Sequence, residues 1–142
     1  MIYEFKKGNY LISTDKRKLQ LKTIHNFLVD AYWSKGIKIE RVKKAIYGSL
    51  CFGVYHNKRQ IGFARVITDC ANFGYLADVF IIEEYRGRGL SKWLMKCVIN
   101  HTELKNLKVW MLATSDAHGL YSKFGFEPLK EPHKYMRRQN SK

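Results

Sequence analysis

Residues 75–82, Tyr-Leu-Ala-Asp-Val-Phe-Ile-Ile, are a nearly uninterrupted apolar run. Its length and its β-branched and aromatic content favour a strand over a helix. A strand that is apolar on both faces must be covered on both, so it belongs in the middle of a sheet between two layers. Directly after it the chain turns basic and glycine-rich at Arg86-Gly87-Arg88-Gly89. Leu90, Trp93, Leu94, Cys97 and Val98 then fall at helical spacing, which predicts a helix ending near Asn100.

The rest of the chain supplies the covering layers. Tyr10–Ser13 reads as a first strand, and Thr14 or Asp15 can cap a helix with Leu21, Ile24, Leu28 and Ala31 on one face. Trp33-Ser34-Lys35-Gly36 ends that helix, and a second follows over about residues 39–49, with Val42, Ala45 and Ile46 together. Residues 51–56 and 60–68 form a hairpin with Asn57-Lys58 at its turn. A further strand is expected over 108–113, a short helix over about 117–123, and final strands around Phe126 and 135–138. The order β-α-α-β-β-β-α-β-α-β predicts one α/β layer sandwich over residues 1–142, without repeats or linker.

Composition narrows the function classes. The 142 residues suffice for a core without staples, and 46% hydrophobic with 14% aromatic content is that of a folded domain. No apolar run approaches the roughly 20 residues of a membrane span. The first ten residues lack the apolar core of a signal peptide, so a cytoplasmic location is the expectation. Cys51, Cys70 and Cys97 are too far apart for metal-type pairing or a disulfide framework, and no metal is expected. The formal charge of +14 favours anionic ligands without saying which. Its cations are scattered and most aromatics lie in apolar elements, which disfavours a nucleic-acid-binding module.

A strand, a glycine turn and a helix N-terminus together suit a phosphate. No stretch supplies Gly-x4-Gly-Lys-Ser/Thr, so a P-loop is excluded. A dinucleotide fingerprint needs a third glycine where Lys92 stands, and it fails too. Arg86-x-x-Gly89-x-Ser91 instead closely resembles the Gln/Arg-x-x-Gly-x-Gly/Ala signature of the GNAT N-acetyltransferase superfamily. Ser91 departs from it, occupying a place where Gly or Ala is usual. "AHGLYSKFGFEP" is similar to the family's second landmark, a short helix carrying Leu-Tyr-x-x-x-Gly-Phe, at the expected separation.

The resemblance covers almost the whole chain. It implies a single-domain GNAT-like fold, a mixed and mostly antiparallel central sheet with helices on both faces. It implies acetyl-CoA as co-substrate, a primary amine as acceptor, and a monomer or homodimer. Arg86, Gly87, Arg88, Gly89, Leu90, Ser91 and Lys92 would then hold the pyrophosphate, and the main chain of Val79, Phe80 and Ile81 the pantetheine arm. Tyr121 matches the tyrosine that protonates the departing thiolate, although a core aromatic is the alternative. Asp78 is a candidate base because burial would raise a carboxylate's pKa, while an ordinary ion-paired role is equally open. Asp69, Asp116 and His118 are other candidates, and a water relay would need none of them. Asp69, Tyr75, Ser115, Asp116 and His118 are expected near the acceptor. A non-catalytic acyl-CoA sensor would carry the same cofactor residues.

Overall fold

The computed structural model describes residues 1–140. Its six strands lie across one sheet in chain order: β1 (Glu4–Lys7), β2 (Tyr10–Ser13), β3 (Leu50–His56), β4 (Arg59–Thr68), β5 (Phe73–Ile81) and β6 (Val109–Met111). The first five are antiparallel and β6 runs parallel to β5. A parallel neighbour needs a crossover, and α3 (Leu90–Ile99) makes it. The β3–β4 turn places Asn57 and Lys58 at φ 48° and 74°, the positive pair that a two-residue hairpin of the right twist requires.

The sheet is covered on both faces. On one, α3 presents Leu94, Met95 and Val98 to Ile12, Phe52, Val54 and Val66. On the other, α1 (Leu21–Leu28) and α2 (Ile39–Tyr47) bury Ile24, Leu28 and Val42 against Cys51, Phe63 and Phe80. The short α4 (His118–Ser122) adds Tyr121 to the α3 side. This is the expected mixed sheet between helical layers.

Three details differ from the sequence expectation. A strand β1 precedes Tyr10, pairing Glu4 with Ser13 through Lys7 with Tyr10. Three of its four residues are charged and exposed, and Phe5 by itself makes no apolar alternation to reveal it. Helix α1 starts at Leu21, not after Asp15, whose carboxylate instead caps a single 3-10 turn over Lys16–Lys18. Gln20 and Gln60 then exchange main-chain and side-chain hydrogen bonds of 2.7 and 3.0 Å, holding Gln20 extended before the helix. Among the described residues the last two strands do not form. Pro128 and Pro132 each remove a main-chain donor there, and Pro132 opens a 3-10 turn over Pro132–Lys134.

His101 follows α3 and is buried, edge-on to Tyr3 and Phe52 with ring centroids 4.5 and 5.5 Å away. Its Nδ1 accepts the Glu103 N–H at 3.1 Å, so Nε2 carries the hydrogen, and it has no partner among the described residues. Burial holds the imidazole pKa below its ordinary value. The unfolded chain takes up a proton near pH 6.5 that the fold resists, so stability is complete above that pH and falls below it. We expect His101→Leu to flatten the decline in melting temperature between pH 7.5 and 5.5. An unchanged slope would assign the decline to other groups.

Candidate functional site

The site begins with an irregularity in β5. Phe80 lies opposite Phe63 but Ala77 opposite Arg65, so β5 holds one more residue than β4 between those pairs. The extra residue forms a bulge with Asp78 at φ 54°, a backbone region in which Asp is tolerated better than most side chains. A bulge exchanges the faces that later residues occupy. Leu76 and Ile81 therefore both reach the α3-side core, while Phe80 stacks on Phe27 at 4.0 Å in the other.

Side chains from three other segments hold the bulge. Arg65 Nε donates to Asp78 Oδ2 at 2.8 Å, and Trp33 Nε1 donates to Oδ1 at 2.8 Å. The ion pair is largely enclosed, with the Arg65 and Asp78 side chains 15% and 12% exposed. Arg65 Nη1 donates to Ser49 Oγ at 3.1 Å, and Ser49 in turn bonds the Ala45 carbonyl of α2. Both carboxylate oxygens of Asp78 are thus engaged.

Beyond the bulge the sheet opens. Pairing of β5 with β6 ends at Tyr75 and Met111, so residues 76–81 have no strand neighbour on that edge. The main-chain groups of Val79, Phe80 and Ile81 lie in this stretch. Past it, Gly87 and Gly89 adopt φ 79° and 78°, and a Cβ at either would meet nothing within 4 Å. They are there for conformation and for the open approach they leave. Gly89 precedes α3, whose buried Leu90 anchors the helix end while Ser91 and Lys92 form its first turn.

The cations of the turn do not all face one way. Arg86 Nε donates to the Ile81 carbonyl at 2.9 Å, bracing the turn against β5. Arg88 reaches Tyr10 Oη at 3.0 Å and lies over the Tyr85 ring. Lys92 instead lies against Lys123, and this neighbour holds the Lys123 pKa below the ordinary lysine value. Two adjacent ammonium groups without an intervening anion form a natural phosphate position. Lys123, just past α4, carried no sequence signal of its own.

Tyr121 stands on the wall between two hollows, a cavity of about 480 Å³ and an open groove of about 1150 Å³. Burial pushes its phenol pKa up to about 12. Asp78, Val79, Tyr75 and Asp116 line the cavity with it. His118 lines the groove instead. Ser115 gives its main-chain N–H to Tyr32 Oη at 2.8 Å, fastening the loop before α4 to the α1–α2 connection. Asp69 lies outside both hollows. Its carboxylate accepts N–H groups of Ala71, Asn72 and Phe73 at 2.8 to 3.1 Å, shaping the β4–β5 turn, and these bonds hold its pKa low. Tyr32, Trp33, Arg41 and Arg65 also line the cavity, and no local pattern in the chain marks them for it. Among the described residues no three His, Cys, Asp or Glu side chains group to hold a metal ion.

With this geometry in place, comparison with known proteins is specific. The profile of the acetyltransferase (GNAT) domain matches residues 47–128. A candidate acetyltransferase of Gibberella zeae, FG08082, is 30% identical over 138 residues, covering 82% of this chain and 78% of its own. The crystal structure of a candidate GNAT-family acetyltransferase from Xanthomonas campestris pv. campestris superposes with TM-score 0.91 at 46% identity, over 95% of this chain and 96% of that one. A predicted acetyltransferase from Clostridium acetobutylicum, crystallised with acetyl-CoA, shares the fold at TM-score 0.64 and 16% identity, over 98% and 96% of the two chains. The chain belongs to the GNAT acetyltransferase family.

The enclosed ion pair makes Asp78 a stability residue first. Asp78→Asn keeps an acceptor for Trp33 but leaves Arg65 an uncompensated charge, and should cost about 3–5 kcal/mol in urea unfolding. Loss of activity at unchanged stability would point instead to a carboxylate that works in the chemistry.

Proposed function

We propose that this protein is an N-acetyltransferase that moves the acetyl group of acetyl-CoA directly to a primary amine. The observation that carries the reading is Tyr121, an enclosed phenol lining the same cavity as the unpaired stretch of β5. A proton donor, open main-chain groups and room for an acceptor are what a direct transfer needs.

The residues fit acetyl-CoA. The unpaired edge of residues 76–81 offers hydrogen-bonding groups to the amides of a pantetheine arm. Gly87 and Gly89 leave the approach to the α3 N-terminus open, where main-chain N–H groups and the helix dipole favour pyrophosphate. Lys92 and Lys123 would neutralise phosphate charge. When bound, acetyl-CoA supplies an acetyl group already activated as a thioester.

The protein's own part is then positional and electrostatic. A main-chain N–H at Val79 or Ile81, on the edge that faces away from β4, donates to the carbonyl oxygen as charge develops on it, and Tyr121 delivers its proton to the leaving sulfur. Asp78 orients the bulge and is not free to act as base, its oxygens being held by Arg65 and Trp33. Asp116 is the open carboxylate of the cavity, suited to draw an ammonium in and to pass its proton to water. The second reading, a sensor that binds acyl-CoA without transfer, leaves both the cavity and its polar lining without a use.

Tyr121→Phe keeps the ring packing and removes the proton. It should lower kcat and kcat/KM together by about 10²–10⁴-fold while acetyl-CoA affinity is nearly kept, as thiol release over a panel of primary amines would report. Wild-type turnover in the Phe variant would return Tyr121 to a packing role. Separately, Lys92→Ala with Lys123→Ala should weaken CoA binding by about 10-fold or more and flatten its salt dependence, measured by calorimetry. Undiminished affinity would move the phosphates elsewhere.

A further inference from the structure

We propose that the 480 Å³ cavity beside Tyr121 takes a zwitterion, an α-amino acid with an apolar side chain, its carboxylate on Arg41 and its amine on the Asp116 side. The inference rests on the acetyl-transfer reading and names the acceptor class. Four charged side chains line the cavity: Arg41, Arg65, Asp78 and Asp116. Arg65 and Asp78 neutralise each other at 2.8 Å. Arg41 and Asp116 have no partner of opposite charge among the described residues. One unmatched cation and one unmatched anion therefore face the same hollow.

The two charges come from different elements. Arg41 stands in the first turn of α2, Asp116 in the loop that leads into α4. Asp116 is close enough to Tyr121 to help raise the phenol pKa, so the anionic side is also the side of the proton donor. An acceptor ammonium drawn to Asp116 arrives where the acetyl group must be met. The remaining surface is apolar, with Leu28, Ile37, Val42 and Ile46 prominent.

Other amines match less of this surface. Arg41 and Asp116 are both exposed at the rim, so an uncharged apolar amine leaves the guanidinium to water, while an amide in place of the carboxylate gives up a charge-assisted hydrogen bond. A polyamine would meet a single open carboxylate within a chain of formal charge +14. The amino acid satisfies both unmatched groups at once.

The test compares binding and transfer. L-Leucine, L-methionine and L-phenylalanine, their amides, isopentylamine, phenethylamine and spermidine are titrated calorimetrically into the protein with and without CoA, and offered with acetyl-CoA for thiol release. Each free acid should bind about 10-fold or more tightly than its amide, the expected worth of one charge-assisted contact. Arg41→Gln should erase that preference and Arg41→Lys should restore part of it. Equal affinity for acid and amide, or no measurable binding of the acids, overturns the assignment. So does an unchanged preference in Arg41→Gln. Acetylation of the simple amines alone would overturn it while leaving acetyl transfer standing. Amino-acid binding with the predicted Arg41 dependence but without transfer to any amine would support the cavity assignment and sink the enzymatic reading.

Discussion

The ion pair of Arg65 with Asp78 sits where the sheet changes character. On one side of it β5 is an ordinary inner strand, paired with β4 and, through Tyr75, with β6. On the other, the same strand has exchanged its faces and keeps only one neighbour. A left-handed aspartate inside a strand is not self-sustaining, and a conformation of this kind persists when its surroundings over-determine it. Here Arg65, Trp33 and, through Ser49, α2 supply that determination. The pair is thus less a source of net stability than a device of register, since enclosed ion pairs gain little over apolar packing but penalise any alternative that leaves one charge alone.

The same network joins the two halves of the site. Trp33 belongs to the α1–α2 connection, which also holds the loop before α4 through Tyr32 and Ser115. A displacement of that connection would disturb the bulge and the approach to Tyr121 together. The glycine turn is built differently. Gly87, Gly89 and the braced Arg86 shape a main-chain surface, and Lys92 of α3 meets Lys123 just past α4. Most of the +14 plays no part in either arrangement. Arg17 and Arg59, for instance, are taken up by Asp15 and Glu84.

How far the sequence could be read follows from how local each feature is. The β5 run, the hairpin at Asn57-Lys58 and the helix after Gly89 depend on neighbours in the chain, and all were legible. So was the glycine turn between β5 and α3. The assignment of its arginines to phosphate came with the signature that Arg86 to Ser91 resembles. The structure shows Arg86 and Arg88 bonded to the protein, a matter of side-chain direction that spacing does not encode. Strand β1 was hidden because three of its four residues are charged, and the C-terminal strands were anticipated from apolar residues that two prolines keep out of the ladder. Asp78 drew attention as an acid in an apolar run, but its partners lie 13 and 45 residues away in the chain. The cavity beside Tyr121 was the least legible part. Arg41, Trp33, Arg65 and Asp116 come from four separate segments, and only the fold brings them together.

The bulge also constrains the chemistry. Both Asp78 oxygens are held, one by Arg65 and one by Trp33, which leaves neither free for an acceptor's proton. On the proposed transfer that proton needs another route. Asp116 is exposed, has no cation to hold, and lies on the same side as Tyr121. An exposed carboxylate is a weak base for an ammonium, but it can raise the local population of the amine and hand its proton to water at the cavity mouth. Tyr121, by contrast, is enclosed, and on the proposed reading its proton stays until charge appears on the sulfur. One cavity thus holds both groups, an enclosed phenol and an open carboxylate, beside the bulge that Arg65 and Asp78 fix in β5.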